Sequence, residues 1–318
     1  MDLNPFPSSE TNNTDTMATT ATATDLLPTP SVTPPPPVAI PELPVQINTV
    51  TRKHHIELNR LIIDRLPLAL PPIANGPKVY ALGLAAFAHI YLAFEQAFDD
   101  LERSQDDSVA TNGEEEADHQ RKLKAWLANL RPPGLKRSSR IKRDLQYLPQ
   151  LDRSNFSGLD GEIQSHIRDL AAAKPHILVA YTWVMYMAIF SGGRWIRSQL
   201  ASAQPEFWTS HTNAGPALAE KTPLGMPGFS FLSFDGDEDG EDIKVEYKRR
   251  LAEGEEIVST QEREEIMDAA QELFERCISI VHKLDEEVRK QELMKRILPL
   301  AVVAAVVTFA LAYYRFRH

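Results

Sequence analysis

Between residues 47 and 289 apolar positions recur every three or four residues, and strict alternation of apolar with polar residues is almost absent. That period is helical, so the pattern predicts helices and almost no strand. It places them at residues 47–66, 77–103, 121–130, 154–173, 175–202, 242–253 and 261–289. Pro175 suits a helix start, because its φ is fixed and its missing N–H would be unpaired there. The connectors are polar. Residues 106–118 are acidic and predict a solvated loop, and residues 203–228 carry four prolines and predict irregular chain.

Both ends depart from this pattern. Met1 to Val50 contains no Lys, Arg or His, so neither a secretory signal nor a mitochondrial transit peptide is expected there. The segment is rich in Thr, Ser, Asn and Pro, a composition that buries too little apolar surface to order a backbone. Residues 1–43 are therefore expected to be a disordered arm, and residues 44–292 the folded domain. Residues 297–314 carry no charge and are just long enough to cross a bilayer as a helix. Lys295 and Arg296 flank the run on one side and Arg315, Arg317 and His318 on the other, with Tyr313 and Tyr314 placed like interfacial aromatics. Residues 293–318 are thus expected to be a membrane anchor that leaves the domain in the cytosol. The endoplasmic reticulum is favoured over the mitochondrial outer membrane.

Composition narrows the function. The net charge of −10 argues against nucleic-acid binding, which needs Lys and Arg to neutralise phosphates. With Cys277 as the single cysteine, no intrachain disulfide and no thiolate-rich metal site can form. The acidic stretch 235–242 has the composition of a calcium loop but lacks its helical context and terminal Glu, so a solvated turn is expected. The basic stretch 131–143 reads as a solvated face, or as a contact for anionic lipid or an acidic partner.

Two features hold candidate chemistry. Ser191-Gly192-Gly193 interrupts a long apolar helix. Each interior glycine costs a helix about 1 kcal/mol relative to Ala, and adjacent glycines allow a kink and close backbone approach. Tight helix packing explains them, and so does one wall of a site for a planar cofactor. His54 and His55 form the second feature. His54 falls near the centre of the apolar stripe of the first helix and His55 on its flank, and spacing alone leaves open a core histidine or an iron ligand.

Taken in order, these segments resemble the heme oxygenase family: TRKHHIELNRLI its first helix, HIYLAFEQAF its second, RDLQYL a mid-chain motif and PHILVAYTWVMYMAIFSGG its distal helix. GFSFLSF followed by IKVEYKRRL resembles the stretch that contacts heme propionates. The resemblance implies an all-α bundle with heme held between the first and the distal helices. It implies opening of heme to biliverdin, carbon monoxide and ferrous iron with dioxygen and electrons from an NADPH-dependent reductase. It makes His55 the axial iron ligand, with Asn59 where the family usually has glutamate. It brings Arg52, Lys244 and Lys248 to the propionates with Arg250 nearby, and lays Gly192 and Gly193 over the ring beside Ser191. The family's distal carboxylate, which organises the water that supplies protons, falls at Ile189. Its adjoining glycine falls at Ala188 and a propionate-binding tyrosine at Trp183. Tyr186 is retained, and the resemblance offers it for the water network. Two other readings follow: a member that binds heme without opening it (a sensor, carrier or peroxidase), and a membrane-tethered helical adaptor.

Overall fold

The computed structural model describes residues 41–104, 114–148, 157–209 and 228–317. The expected arm is outside these up to residue 40, but Leu43 is fully buried and opens the first helix, so the domain starts slightly earlier than its pattern suggested. Among the described residues there is no strand.

Helix α1 (Leu43–Arg65) starts with Pro44 in its first turn, where the absent N–H costs nothing. Helices α2 (Lys78–Ser104), α3 (Glu114–Asn129), α4 (Ser138–Tyr147) and α5 (Ser157–Ala173) follow. The α3 helix takes in residues 114–118, expected as loop. A 3₁₀ turn (Pro175–Ile177) leads into α6 (Leu178–Ala188), a stretch of π-helix (Ile189–Gly193) and α7 (Arg194–Ala201), so the long apolar helix of the sequence changes to π-helix at its glycines. Short α8 (Pro205–Thr209) lies in a stretch expected to be irregular; α9 (Glu241–Glu253) and α10 (Thr260–Arg317) complete the chain. The α10 helix runs unbroken into the apolar run, with Pro299 inside it.

Helix α1 lies along α10 and α2 along α5, with α6 packed on α10 and α2. Three contacts set the direction of the first pair: Gln271 donates to the Val50 carbonyl at 3.4 Å, His54 Nε2 lies 3.6 Å from Glu275, and Arg65 pairs with Asp285 at 2.6 Å. Residue numbers rise together, so α1 and α10 are parallel. Where α1 ends, α10 continues outward. Two stretches, Lys78–Arg103 and Pro175–Ala201, are long and apolar enough to cross a bilayer, but most of each is buried in the bundle, as core helices are.

The basic stretch 131–143 is a solvated face only in part: Lys136, Lys142 and Arg143 are exposed. Arg137 is fully buried. Its Nε donates to the Leu135 carbonyl at 2.7 Å, Nη1 to Ser233 at 2.8 Å and Nη2 to Gly134, and its guanidinium lies 4.4 Å from the centre of the Phe234 ring. Burial pushes its pKa down to about 10. Glu95, also fully buried, accepts from the Arg137 and Ser138 amides, the Ser138 hydroxyl and the Tyr186 hydroxyl. Asp144 on α4 accepts from the amides of Gly228, Ser230 and Phe231. These two carboxylates tie α4 to α2, to α6 and to the segment before α9. The acidic turn is solvated as expected at Asp235, Asp237, Glu238 and Asp242, and is pinned at two points: Asp239 pairs with Arg197 at 2.5 Å and Glu241 with Arg194 at 2.5 Å.

Candidate functional site

A cavity of about 880 Å³ opens between α1, α2, the α6–α7 helix and α10. Its size and mainly apolar wall suit a flat organic ligand. His55 stands on the α1 wall, with Thr51 and Leu58 on the turns either side of it. Gly192, Gly193 and Ile189 belong to the α6–α7 wall. The imidazole meets the Phe274 ring edge-on, with centroids 6.0 Å apart. Burial lowers its pKa from 6.5. Desolvation thus favours the neutral ring, the form whose nitrogen can bind a metal. His54 is not on the cavity wall; it faces Glu275.

Both explanations of the glycines apply. A Cβ on Gly193 would sit 3.3 Å from Ile189 Cγ2 and 3.4 Å from Leu232 Cδ2, so the glycine admits close packing. The π-helical turn, a form that often marks functional sites, carries Gly192 and Gly193 to the wall. Ser191 lines the cavity too, its hydroxyl donating to the Met187 carbonyl at 2.7 Å.

The remaining expected residues divide. Arg52 lines the cavity from an exposed position. Trp183 lines it as well, and its indole N–H donates to Asn48 Oδ1 at 3.0 Å. Lys248 is one step back, with Nζ 6.0 Å from the centre of the Trp183 ring. Lys244 lies 3.3 Å from Glu241 and is not on the wall. Arg250 turns elsewhere: it pairs with Glu246 at 2.7 Å and donates to the Asn129 carbonyl at 2.9 Å, which fixes it against the end of α3. Tyr186 is also off the wall, its hydroxyl held by Glu95 at 2.9 Å, so the position expected to join a water network is an anchor of the core. Ile189 does line the cavity. Among the described residues that line the cavity the only carboxylate is Asp285, on α10, which Arg65 already holds.

Sequence reasoning missed Asn48, Phe274 and Gly83. A Cβ added to Gly83 would meet nothing within 4 Å, so α2 leaves open space where the cavity passes it. A glycine inside a strong helix pattern was the available signal. Among the described residues no group of three or more His, Cys, Asp or Glu side chains is arranged to hold a metal ion. A ligand brought in with its own metal needs only one such side chain, and His55 is suited to that.

A family model described as heme oxygenase matches residues 108–283. Heme-binding protein HMX1 of Saccharomyces cerevisiae is 26% identical over 277 residues, covering 82% of this chain and 80% of that protein. Heme oxygenase-2 of Synechocystis sp. PCC 6803, solved in complex with heme and NO, superposes with a TM-score of 0.54 at 16% identity over 79% of this chain and 88% of its own. Heme oxygenase-1 from Synechocystis, solved in complex with heme, gives 0.51 at 17% identity, with 81% and 99% covered. Heme oxygenase 2 from Chlamydomonas reinhardtii, solved without heme, gives 0.51 at 18% identity, with 76% and 97% covered. With the family's sequence pattern running through more than half of the chain and its fold enclosing a cavity walled by one histidine, this protein belongs to the heme oxygenase family.

Proposed function

We propose that this protein binds heme through His55 and opens it to biliverdin, carbon monoxide and ferrous iron, using dioxygen and electrons from an NADPH-dependent reductase. The observation that carries the reading is the placement of the His55 imidazole and a glycine-bearing π-helical turn on the walls of one apolar cavity. Heme supplies the iron at which dioxygen is reduced, and is itself the molecule oxidised. His55 holds the iron. Arg52 and Lys248 are placed to meet the ligand's carboxylates, Arg52 directly and Lys248 past Trp183. Gly192 and Gly193 let main chain approach the ring face, and Met187 and Ile189 keep that wall dry. With Tyr186 committed to Glu95, the protons must come from water entering the open side of the cavity.

A second reading is favoured by one specific feature. Ile189 offers no oxygen to order that water, so heme could be held without being opened, in keeping with a relative named as a heme-binding protein. One experiment separates the two. Detergent-solubilised full chain is titrated with hemin, then supplied with NADPH and a reductase. We expect a Soret band that His55→Ala reduces or shifts, followed by its decay to biliverdin. A stable Soret band without biliverdin would leave binding alone, and an unchanged band in His55→Ala would remove the assigned ligand.

The domain is proposed to face the cytosol from the endoplasmic reticulum or the mitochondrial outer membrane, held by residues 297–314. Support comes from the unbroken α10 helix and from the exposure of Ile297, Leu298 and Tyr313 on it.

A further inference from the structure

We propose that the pole of the domain from which α10 emerges rests on the bilayer, so that heme enters the cavity from the lipid rather than from water. The inference rests on the heme and anchor readings above and adds the orientation and the route.

Helices α1 and α10 pair in parallel. The Arg65–Asp285 pair marks the level at which α1 ends and α10 leaves the bundle. The cavity reaches that level, because Leu66, Leu68, Val288 and Arg289 all line it. Leu68 and Arg289 are also exposed, so the cavity meets the surface at the anchor's pole as well as beside Arg52. From Asp285 the α10 helix rises about 18 Å to Ile297, the first residue of the uncharged run.

The chain around that opening is apolar where it should be polar. In the segment that links α1 to α2, Leu68 is 46% exposed and Ile73 is 60% exposed. On α10, before the uncharged run, Leu293 is 56% and Met294 60% exposed. Leu293, Met294, Ile297 and Leu298 share one side of the helix, an amphipathic stripe of the kind that lies in the headgroup region. Charges of both signs are exposed on the same stretches: Lys78, Arg289 and Lys290, the last paired with Glu287 at 2.8 Å, and Asp64, Glu286 and Glu292. Spanning helices tilt by about 20° on average, which would bring one side of this pole down to the headgroups. Heme is an apolar disc with charged carboxylates and partitions into lipid. An opening seated there receives it without a passage through water.

The test uses the full chain in phosphatidylcholine vesicles. Cys277 is buried, so an environment-sensitive fluorophore can be placed on Ile73→Cys, with Val45→Cys as the control. Val45 is exposed, in the first turn of α1, about 30 Å from Arg65 along the helix. We expect the probe at residue 73 to shift its emission to the blue and to lose quenching by aqueous iodide, while the probe at residue 45 does neither. We also expect Ile73→Asp, at a position off the cavity wall, to slow hemin transfer from vesicles severalfold with hemin affinity in detergent unchanged. Flotation with the vesicles and hemin uptake in detergent check the two parent readings. A chain that fails either overturns this proposal together with that parent. A chain that passes both, yet keeps residue 73 in water and transfers hemin at the wild-type rate in Ile73→Asp, overturns this proposal alone.

Discussion

The Glu95 carboxylate gives the sharpest test of how the distal helix is held. Its Oε1 accepts from the Arg137 amide at 2.7 Å and the Tyr186 hydroxyl at 2.9 Å, and its Oε2 from the Ser138 amide at 2.8 Å and the Ser138 hydroxyl at 2.5 Å. Glu95→Gln keeps the shape and turns one of these oxygens into a donor. Hydroxyls can rotate to accept from the new NH₂, but an amide cannot. Whichever way the side chain is placed, one backbone N–H is left facing a donor in a site sealed from water. An unsatisfied buried donor costs about 1–3 kcal/mol, and trading charge-assisted bonds for neutral ones costs about 1 kcal/mol each. The sum is about 3–5 kcal/mol. For a domain of this size about 1 kcal/mol moves Tm by roughly 2–4 °C, so Glu95→Gln should lower it on the order of 10 °C in a thermal unfolding scan of the full chain in detergent. Tyr186→Phe removes one donor of the four and should cost only about 1 kcal/mol, with hemin affinity and turnover unchanged. A Glu95→Gln protein within about 2 °C of wild type would refute the network. A Tyr186→Phe protein that binds hemin normally but has lost turnover would return Tyr186 to the chemistry.

That reversal of Tyr186 shows where the sequence is readable and where it is not. The long helices follow from their apolar period, and the π-helical turn between α6 and α7 falls where the paired glycines interrupt it. Within Leu178–Tyr186, however, every residue is buried. A helix apolar on all sides carries no phase, so nothing local says which residues face the cavity and which face α2. Helix α4 was hidden for the opposite reason. Its surroundings are rich in Arg and Lys, which read as solvated, yet Arg137 is buried because carbonyl oxygens and the Phe234 ring surround it, some of them contributed by residues more than ninety positions away. His55 is the most instructive case. The side of α1 that carries His54 packs against α10, as its contact with Glu275 shows, whereas Ile47, Thr51, His55, Leu58 and Ile62 line the cavity. The apolar pattern placed His55 one position off the centre, and that one step is what turns it from α10 to the cavity.

Further outcomes follow from the same contacts. Asp144→Ala strips the acceptor from three amides that hold Gly228, Ser230 and Phe231, and should cost about 3 kcal/mol in thermal unfolding while weakening hemin binding through the loosened Phe231–Leu232 wall. Gly193→Ala sets a helix-propensity gain of about 1 kcal/mol against two tight contacts on Ile189 and Leu232, so its Tm should stay close to wild type, whereas Gly193→Val should fall clearly below it. The pKa of His55 lies below 6.5 in the fold, while the unfolded chain titrates at its ordinary value. Between the two values the unfolded chain binds the extra proton, so this group leaves stability untouched above pH 6.5 and erodes it as pH falls through that window. Hemin affinity measured by Soret titration should accordingly persist to a pH at which a free imidazole is already half protonated; a midpoint above pH 6.5 would contradict the desolvated ring. The two histidines finally separate by rescue. His55→Ala leaves a hole on an open cavity wall, so imidazole added to the solution should restore the Soret position. His54→Ala should bind hemin as wild type does, and a loss confined to His54→Ala would mean that α1 presents its other face to the ligand.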